Sequence, residues 1–151
     1  MRQVIAHDNL AEVITPIKPL ASKLNLVVGS SKLFTVPSNE QWHILSLMAL
    51  LTSSATVGNR QLAALIFDNT GNMVMKSSAG AVQAASLARR YNYLQCATRE
   101  AAFVNVDELI CSLPKDLYLG PGWLMYVQDV AAIAAGSDTL AVSMSVHIVN
   151  L

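Results

Sequence analysis

Residues 33–151 fall into short apolar segments separated by turn signals, and the last segment shows its period most cleanly. Leu140, Val142, Met144, Val146 and Ile148 lie on one face; Ala141, Ser143, Ser145 and His147 lie on the other. A period of two marks a strand half-buried in a sheet, because successive side chains leave the backbone on opposite sides. No helical pattern is long enough to carry a parallel crossover, so the pattern points to a mostly antiparallel, all-β domain.

The other segments follow in order. Residues 33–36 form a short strand stopped by Pro37, Ser38 and Asn39. Residues 41–51 form the longest, with Trp42, Ile44, Met48 and Leu50 set against His43, Leu45, Leu47, Ala49 and Leu51. Both sets are mostly apolar, which predicts a strand covered on both sides. A polar link over 53–59 leads to a strand over 60–68. Asp68, Asn69, Thr70, Gly71 and Asn72 are the strongest hairpin signal, since Gly and Asn accept the positive φ of a tight turn. A returning strand over 73–76 and an Ala/Ser/Gly loop over 77–88 come next. Strands are then expected over 89–95, 101–106, 109–113, 117–119, 123–130 and 140–149. Pro114 and the Gly120-Pro121-Gly122 turn break the run, and 131–138 reads as an Ala/Gly loop or short helix. About eight to ten strands in roughly 120 residues is the spacing of a sandwich or barrel, and a jelly roll fits the count best. An immunoglobulin-like sandwich fits less well, because Cys96 and Cys111 lie too close together to bridge strands flanking a central Trp.

The first 29 residues differ. Asn9 and Glu12 are spaced to cap a short helix, and Pro16 and Pro19 stop any longer one. The chain therefore divides into an extended N-terminal arm, 1–29, and a β-sandwich domain, 30–151. Ile14, Ile17, Leu20, Leu24, Leu26 and Val27 give the arm apolar anchors, and with Trp42 and Trp123 they are the expected interface residues. On this reading a chain beginning near Ser30 keeps its sandwich and loses an attachment.

Charge narrows the choice of partners. Only 13% of residues are charged against 53% hydrophobic, and ten basic residues balance ten acidic ones. Scarce charge points to surface buried against other subunits, in a homo-oligomer that is a dimer or trimer. No basic field exists to attract nucleic acid. The strongest apolar run, 44–51, is too short to cross a membrane, and the N-terminus has no secretory pattern. Both cysteines are expected to be reduced and buried.

Catalytic signals are missing. The three histidines, His7, His43 and His147, have no metal-ligand spacing. There is no phosphate-binding loop and no nucleophile elbow. Asp107 and Glu108 read as a solvated turn. The expectation is a protein without catalytic residues, metal or cofactor.

Three stretches carry a family likeness: Phe34-Thr35-Val36-Pro37 leading to Trp42; Ala55-Thr56-Val57-Gly58-Asn59-Arg60-Gln61; and Leu113-Pro114 through Pro121-Gly122-Trp123 to Val127-Gln128-Asp129. In these motifs and in layout, residues 33–151 resemble small virion proteins of tailed bacteriophages, including the jelly-roll proteins that cement or decorate an icosahedral head. The resemblance implies a structural role on the capsid exterior, after synthesis in the host cytoplasm. It implies the major capsid protein or other virion proteins as partners, and no catalytic residues. A head-to-tail or tail component, or a carbohydrate- or receptor-binding β-sandwich, shares the same sequence features.

Overall fold

The computed structural model describes residues 17–25, 31–97, 107–131 and 138–151, the first of these as backbone only. Ten strands are present among them: β1 (Ile17–Asn25), β2 (Ser31–Thr35), β3 (Glu40–Thr52), β4 (Leu62–Phe67), β5 (Met73–Ser78), β6 (Ala88–Gln95), β7 (Glu108–Leu113), β8 (Tyr118–Leu119), β9 (Leu124–Asp129) and β10 (Thr139–Asn150). They form two sheets. The first has the order β1-β10-β3-β6-β7, with β8 added beside β3; the second has the order β2-β9-β4-β5.

The topology becomes plain once β7 and β8 are set aside. β1 pairs with β10, β2 with β9, β3 with β6 and β4 with β5, all antiparallel. These are the rungs of one long hairpin. Rolling it up brings β10 against β3 and β9 against β4, which divides the rungs between two facing sheets. The protein is an all-β sandwich with jelly-roll strand order. The exception to antiparallel pairing is β7, which lies parallel to β6.

The core fills the space between the sheets. Ile44, Leu47, Ala49, Leu51, Tyr91, Tyr93, Leu140, Val142, Met144 and Val146 come from the first sheet; Phe34, Leu62, Ala64, Ile66, Met125 and Val127 come from the second. The alternation expected of the last strand is realised, with Leu140, Val142, Met144 and Val146 buried and their neighbours partly exposed. Where the two sheets meet at one side, Ser77 Oγ donates to Ser112 O at 2.7 Å and ties β5 to β7.

β3 departs from its expected alternation. Ser46 pairs with Ser145 and Ile44 with Val146, so Leu45 is the extra residue of a β-bulge. A bulge shifts the side-chain parity by one. Trp42 and Ile44 point inward before it, and Leu47, Ala49 and Leu51 after it. Met48 and Leu50 are thereby turned outward and are 44% and 39% exposed, so β3 is not covered on both sides within this chain.

The arm and the sandwich also meet differently from the expected boundary at 29/30. β1 lies within the proposed arm, yet all nine of its residues are in register with β10, from Ile17↔His147 to Asn25↔Thr139. An unpaired β10 edge would leave a row of backbone donors and acceptors open, and β1 satisfies them. A chain beginning at Ser30 would lose an edge strand of the sandwich. The expected helix near Asn9, the expected strand over 101–106 and most of the 131–138 loop lie outside the described residues.

The connections β3–β4, β5–β6 and β9–β10 gather at one end of the sandwich. Thr52 at the end of β3 is in register with Thr139 and Ala88, and Leu62 at the start of β4 is in register with Asp129. The β2–β3 and β4–β5 turns lie at the opposite end.

Candidate interaction surfaces

Residues 53–59 are small and mostly polar, with little to hold them in a strand. They are ordered by a side chain that follows them. Arg60 makes an isolated bridge with Gln83: its N–H donates to Gln83 O at 2.7 Å, and its carbonyl oxygen accepts from Gln83 N–H at 2.8 Å. That bridge turns its side chain inward, where it is fully buried. All five guanidinium N–H groups find acceptors. Nε donates to Asp138 Oδ2 at 3.0 Å, and Nη2 reaches Asp138 Oδ1 and Ser54 Oγ, both at 3.3 Å. Nη1 donates to Thr56 O at 2.8 Å and Gly58 O at 2.7 Å. Ser54 N–H completes the carboxylate shell at 2.6 Å from Oδ1. Burial alone would raise the Asp138 pKa, but the bonds from Arg60 and Ser54 hold it below the ordinary carboxylate value.

A second buried group adjoins the first. Gln83 Nε2 donates to Leu87 O at 2.7 Å and Leu51 O at 3.0 Å, while its Oε1 accepts from Tyr91 OH at 2.9 Å. Burial pushes the Tyr91 phenol up to about 12, so it stays a neutral donor. Ser53 Oγ donates to Ala84 O at 2.7 Å and accepts from Leu87 N at 3.0 Å. Together these bonds tie the β3–β4 and β5–β6 connections to each other and to Asp138 just ahead of β10. The tip of the β3–β4 connection is Val57, 91% exposed, with the carbonyls of both sequence neighbours tied to Arg60.

The outer sheet faces carry further apolar side chains. On the first sheet, Met48, Leu94 and Ile110 line a shallow groove of about 480 Å³ with Ser46, Ser143, Ser145, Asn92 and Glu108. Beside it, Arg90 Nη1 and Glu108 Oε1 form an ion pair at 2.7 Å. On the second sheet, Leu65, Phe67, Leu124 and Tyr126 line an open groove of about 310 Å³, with Gly71 and Gln128 also in its lining. Phe67 and Tyr126 meet edge to face with centroids 5.5 Å apart, which fixes the wall. Leu33 and Met73 add exposed apolar surface to this side, at 49% and 57%.

His43 stacks on Tyr118 with ring centroids 4.4 Å apart, and its Nε2 lies 3.2 Å from Gln95 Nε2 and 4.0 Å from Asp116 Oδ1. Among the described residues, no group of three or more His, Cys, Asp and Glu is placed to hold a metal. No helix among them is long and apolar enough to cross a membrane.

The expected interface residues are dispersed. Trp42 is buried in the core, and its Nε1 donates to Glu40 Oε2 at 2.6 Å. Its inward direction follows from its parity with Ile44 ahead of the bulge, and it is a packing residue. Trp123 is partly buried against the core beside the Gly120 turn. Ile17, Leu20 and Leu24 lie in β1, while Ile14, Leu26 and Val27 lie outside the described residues. Cys111 is buried as expected, but Cys96 is exposed: it follows β6 on the outward parity of Asn92 and Leu94, with φ 51°. The sequence reading missed Arg60, Asp138 and Gln83. A lone Arg at the head of an apolar strand is the one local sign of them.

The strand order and surfaces define a jelly-roll β-sandwich with apolar faces. No family model matches the chain, and no curated protein does. Among solved structures, it is similar to the SPBc2 prophage-derived protein YomS, at 15% identity and a TM-score of 0.41, over 89% of this chain and 97% of that one. It is also similar to chains of infectious bursal disease virus, Gt strain (13% identity, TM-score 0.30) and Gx strain (11%, TM-score 0.24). In both cases 89% of this chain is covered, but only 31% and 38% of the viral chains.

Proposed function

We propose that this protein is a non-enzymatic structural component of a virion, and specifically a cement or decoration protein on the exterior of an icosahedral bacteriophage head. The observation that carries the reading is the spread of exposed apolar side chains over separate surfaces. Met48, Leu50 and Leu94 lie on one outer face, Leu33 and Met73 on the other, and Val57 at one end. A soluble monomer gains nothing from so many apolar contacts, whereas a protein wedged between several neighbours buries all of them. The family likeness of residues 33–151 points the same way. Its partners are then the major capsid protein and further copies of itself. Stabilisation comes from mass action: whatever binds only the assembled shell raises the stability of that shell.

The test is co-sedimentation with purified phage heads lacking the protein. Saturable binding, with heads that survive hotter treatment once decorated, supports the reading. A protein that stays in the supernatant at every concentration sinks it.

A further inference from the structure

The Val57 loop is an anchor held ready for a partner. An apolar side chain 91% exposed on a mobile loop would gain little from docking, because ordering the loop would cost most of what burial returns. Here the backbone on both sides of Val57 is already fixed by buried Arg60, which is itself fixed by Asp138. Holding the loop in place beforehand removes most of the ordering cost that docking would otherwise carry.

The same chain carries a receptor for it. The groove between Phe67 and Tyr126, about 310 Å³, has apolar walls and a fixed aromatic corner, with room for a branched side chain and the backbone that bears it. Charge is matched on the two sides. Residues 52–59 contain no Asp, Glu, Lys or Arg, and neither do the six groove residues, so docking strands no ion. The Asp68 carboxylate, next in sequence to Phe67, is occupied by Thr70 and Asn72 of its own turn. The groove runs along β4 from Leu65 to Phe67, roughly 10–17 Å beyond the loop's entry at Leu62 at ~3.3 Å per residue. Val57 is 91% exposed, so it does not occupy the groove of its own copy.

We propose that copies of this chain associate through this contact, the Val57 loop of one copy seated in the Phe67–Tyr126 groove of the next. Each copy has one loop to give and one groove to offer, so two copies can pair reciprocally, or copies can join head to tail into a ring if the rotation closes and a filament if it does not. The inference deepens the virion reading by naming the contact between copies.

The test combines sedimentation velocity with cysteine cross-linking, in a Cys96→Ser background that removes the exposed native thiol. Val57→Asp should weaken self-association about tenfold to a hundredfold and leave the fold's circular dichroism unchanged. Val57→Cys and Gln128→Cys should form a disulfide when mixed, and not when either is oxidised alone. Leu94→Cys, exposed on the outer face of the first sheet and away from both surfaces, should cross-link with neither. The inference is overturned by a wild-type protein that stays monomeric at its highest soluble concentration. It is overturned equally by Val57→Asp associating like wild type, or by Val57→Cys cross-linking to itself. Binding of the wild type to heads is scored separately. Head binding without self-association removes this contact and keeps the virion reading; self-association without head binding does the reverse.

Discussion

The two ends of the sandwich are built by opposite means. At one end, Arg60, Gln83 and Ser53 tie two connections to each other and to Asp138 through buried bonds between residues 31 to 84 positions apart. At the other, the β4–β5 turn is self-sufficient. Asp68 Oδ1 accepts from Thr70 N–H and Asn72 N–H at 2.9 Å and from Thr70 Oγ1 at 2.7 Å, all within four residues and in contact with solvent. These bonds hold the Asp68 carboxyl at about 2, with the Thr70 hydroxyl the leading cause. The distant, dry network is costly to break, because each partner left behind is a buried polar group without water. The local, wet turn loses little when one bond goes, because water replaces it.

That contrast orders the expected effects. Asp138→Ala leaves a buried guanidinium unpaired and should cost about 3–5 kcal/mol in urea unfolding. Replacing both partners, as Arg60→Met with Asp138→Leu, should recover much of that loss, since the cost comes from the orphaned charge. Gln83→Ala strands the Tyr91 hydroxyl and takes one donor from Leu51 O and from Leu87 O, the latter keeping Ser53 N–H, for about 1–3 kcal/mol. Gly71→Ala at the opposite end meets no neighbouring atom, so only its φ of 88° is strained, for about 1 kcal/mol. If Asp138→Ala costs no more than Gly71→Ala, the distinction between the ends collapses.

Acid gives the smallest and most selective effect. Both carboxyls are held below their ordinary value of 3.8, so both contribute stability that is complete above that pH. The Asp68 part is lost as pH falls from 3.8 towards 2, where its folded form takes up a proton. Asp68→Asn should flatten that limb of the stability profile by removing the carboxylate's contribution at neutral pH, so that the neutral-pH value moves towards the acid one. A limb that is just as steep in Asp68→Asn would assign the acid sensitivity to the buried end alone.

The same contrast explains what could be read from the sequence. The Asp68 turn was legible because its donors and acceptors are neighbours in the chain. The strands were legible because alternation is local; β10 carries its burial pattern in its own letters. The Arg60 network was not, since nothing near residue 60 signals residue 138. The bulge at Leu45 was hidden for a related reason: in a strand apolar on both sets of positions, a one-residue shift leaves no trace in the pattern. β1 was read as an extended arm because Pro16 and Pro19 stop a longer helix there, although an edge strand tolerates a missing N–H.

The rolled hairpin also sets a timetable for the nascent chain. β1 finds its partner 114 to 130 positions later, in β10, and β3 acquires its second long neighbour from that same strand. While the ribosome is still adding residues 139–150, the first sheet is split, with two open edges facing each other and nothing to close them. Contacts so distant in sequence place the fold among slow, high-contact-order topologies, closing over milliseconds to seconds. Until then the exposed edges invite pairing with another nascent copy, so in a crowded cell the yield of native protein depends on how fast that last strand arrives.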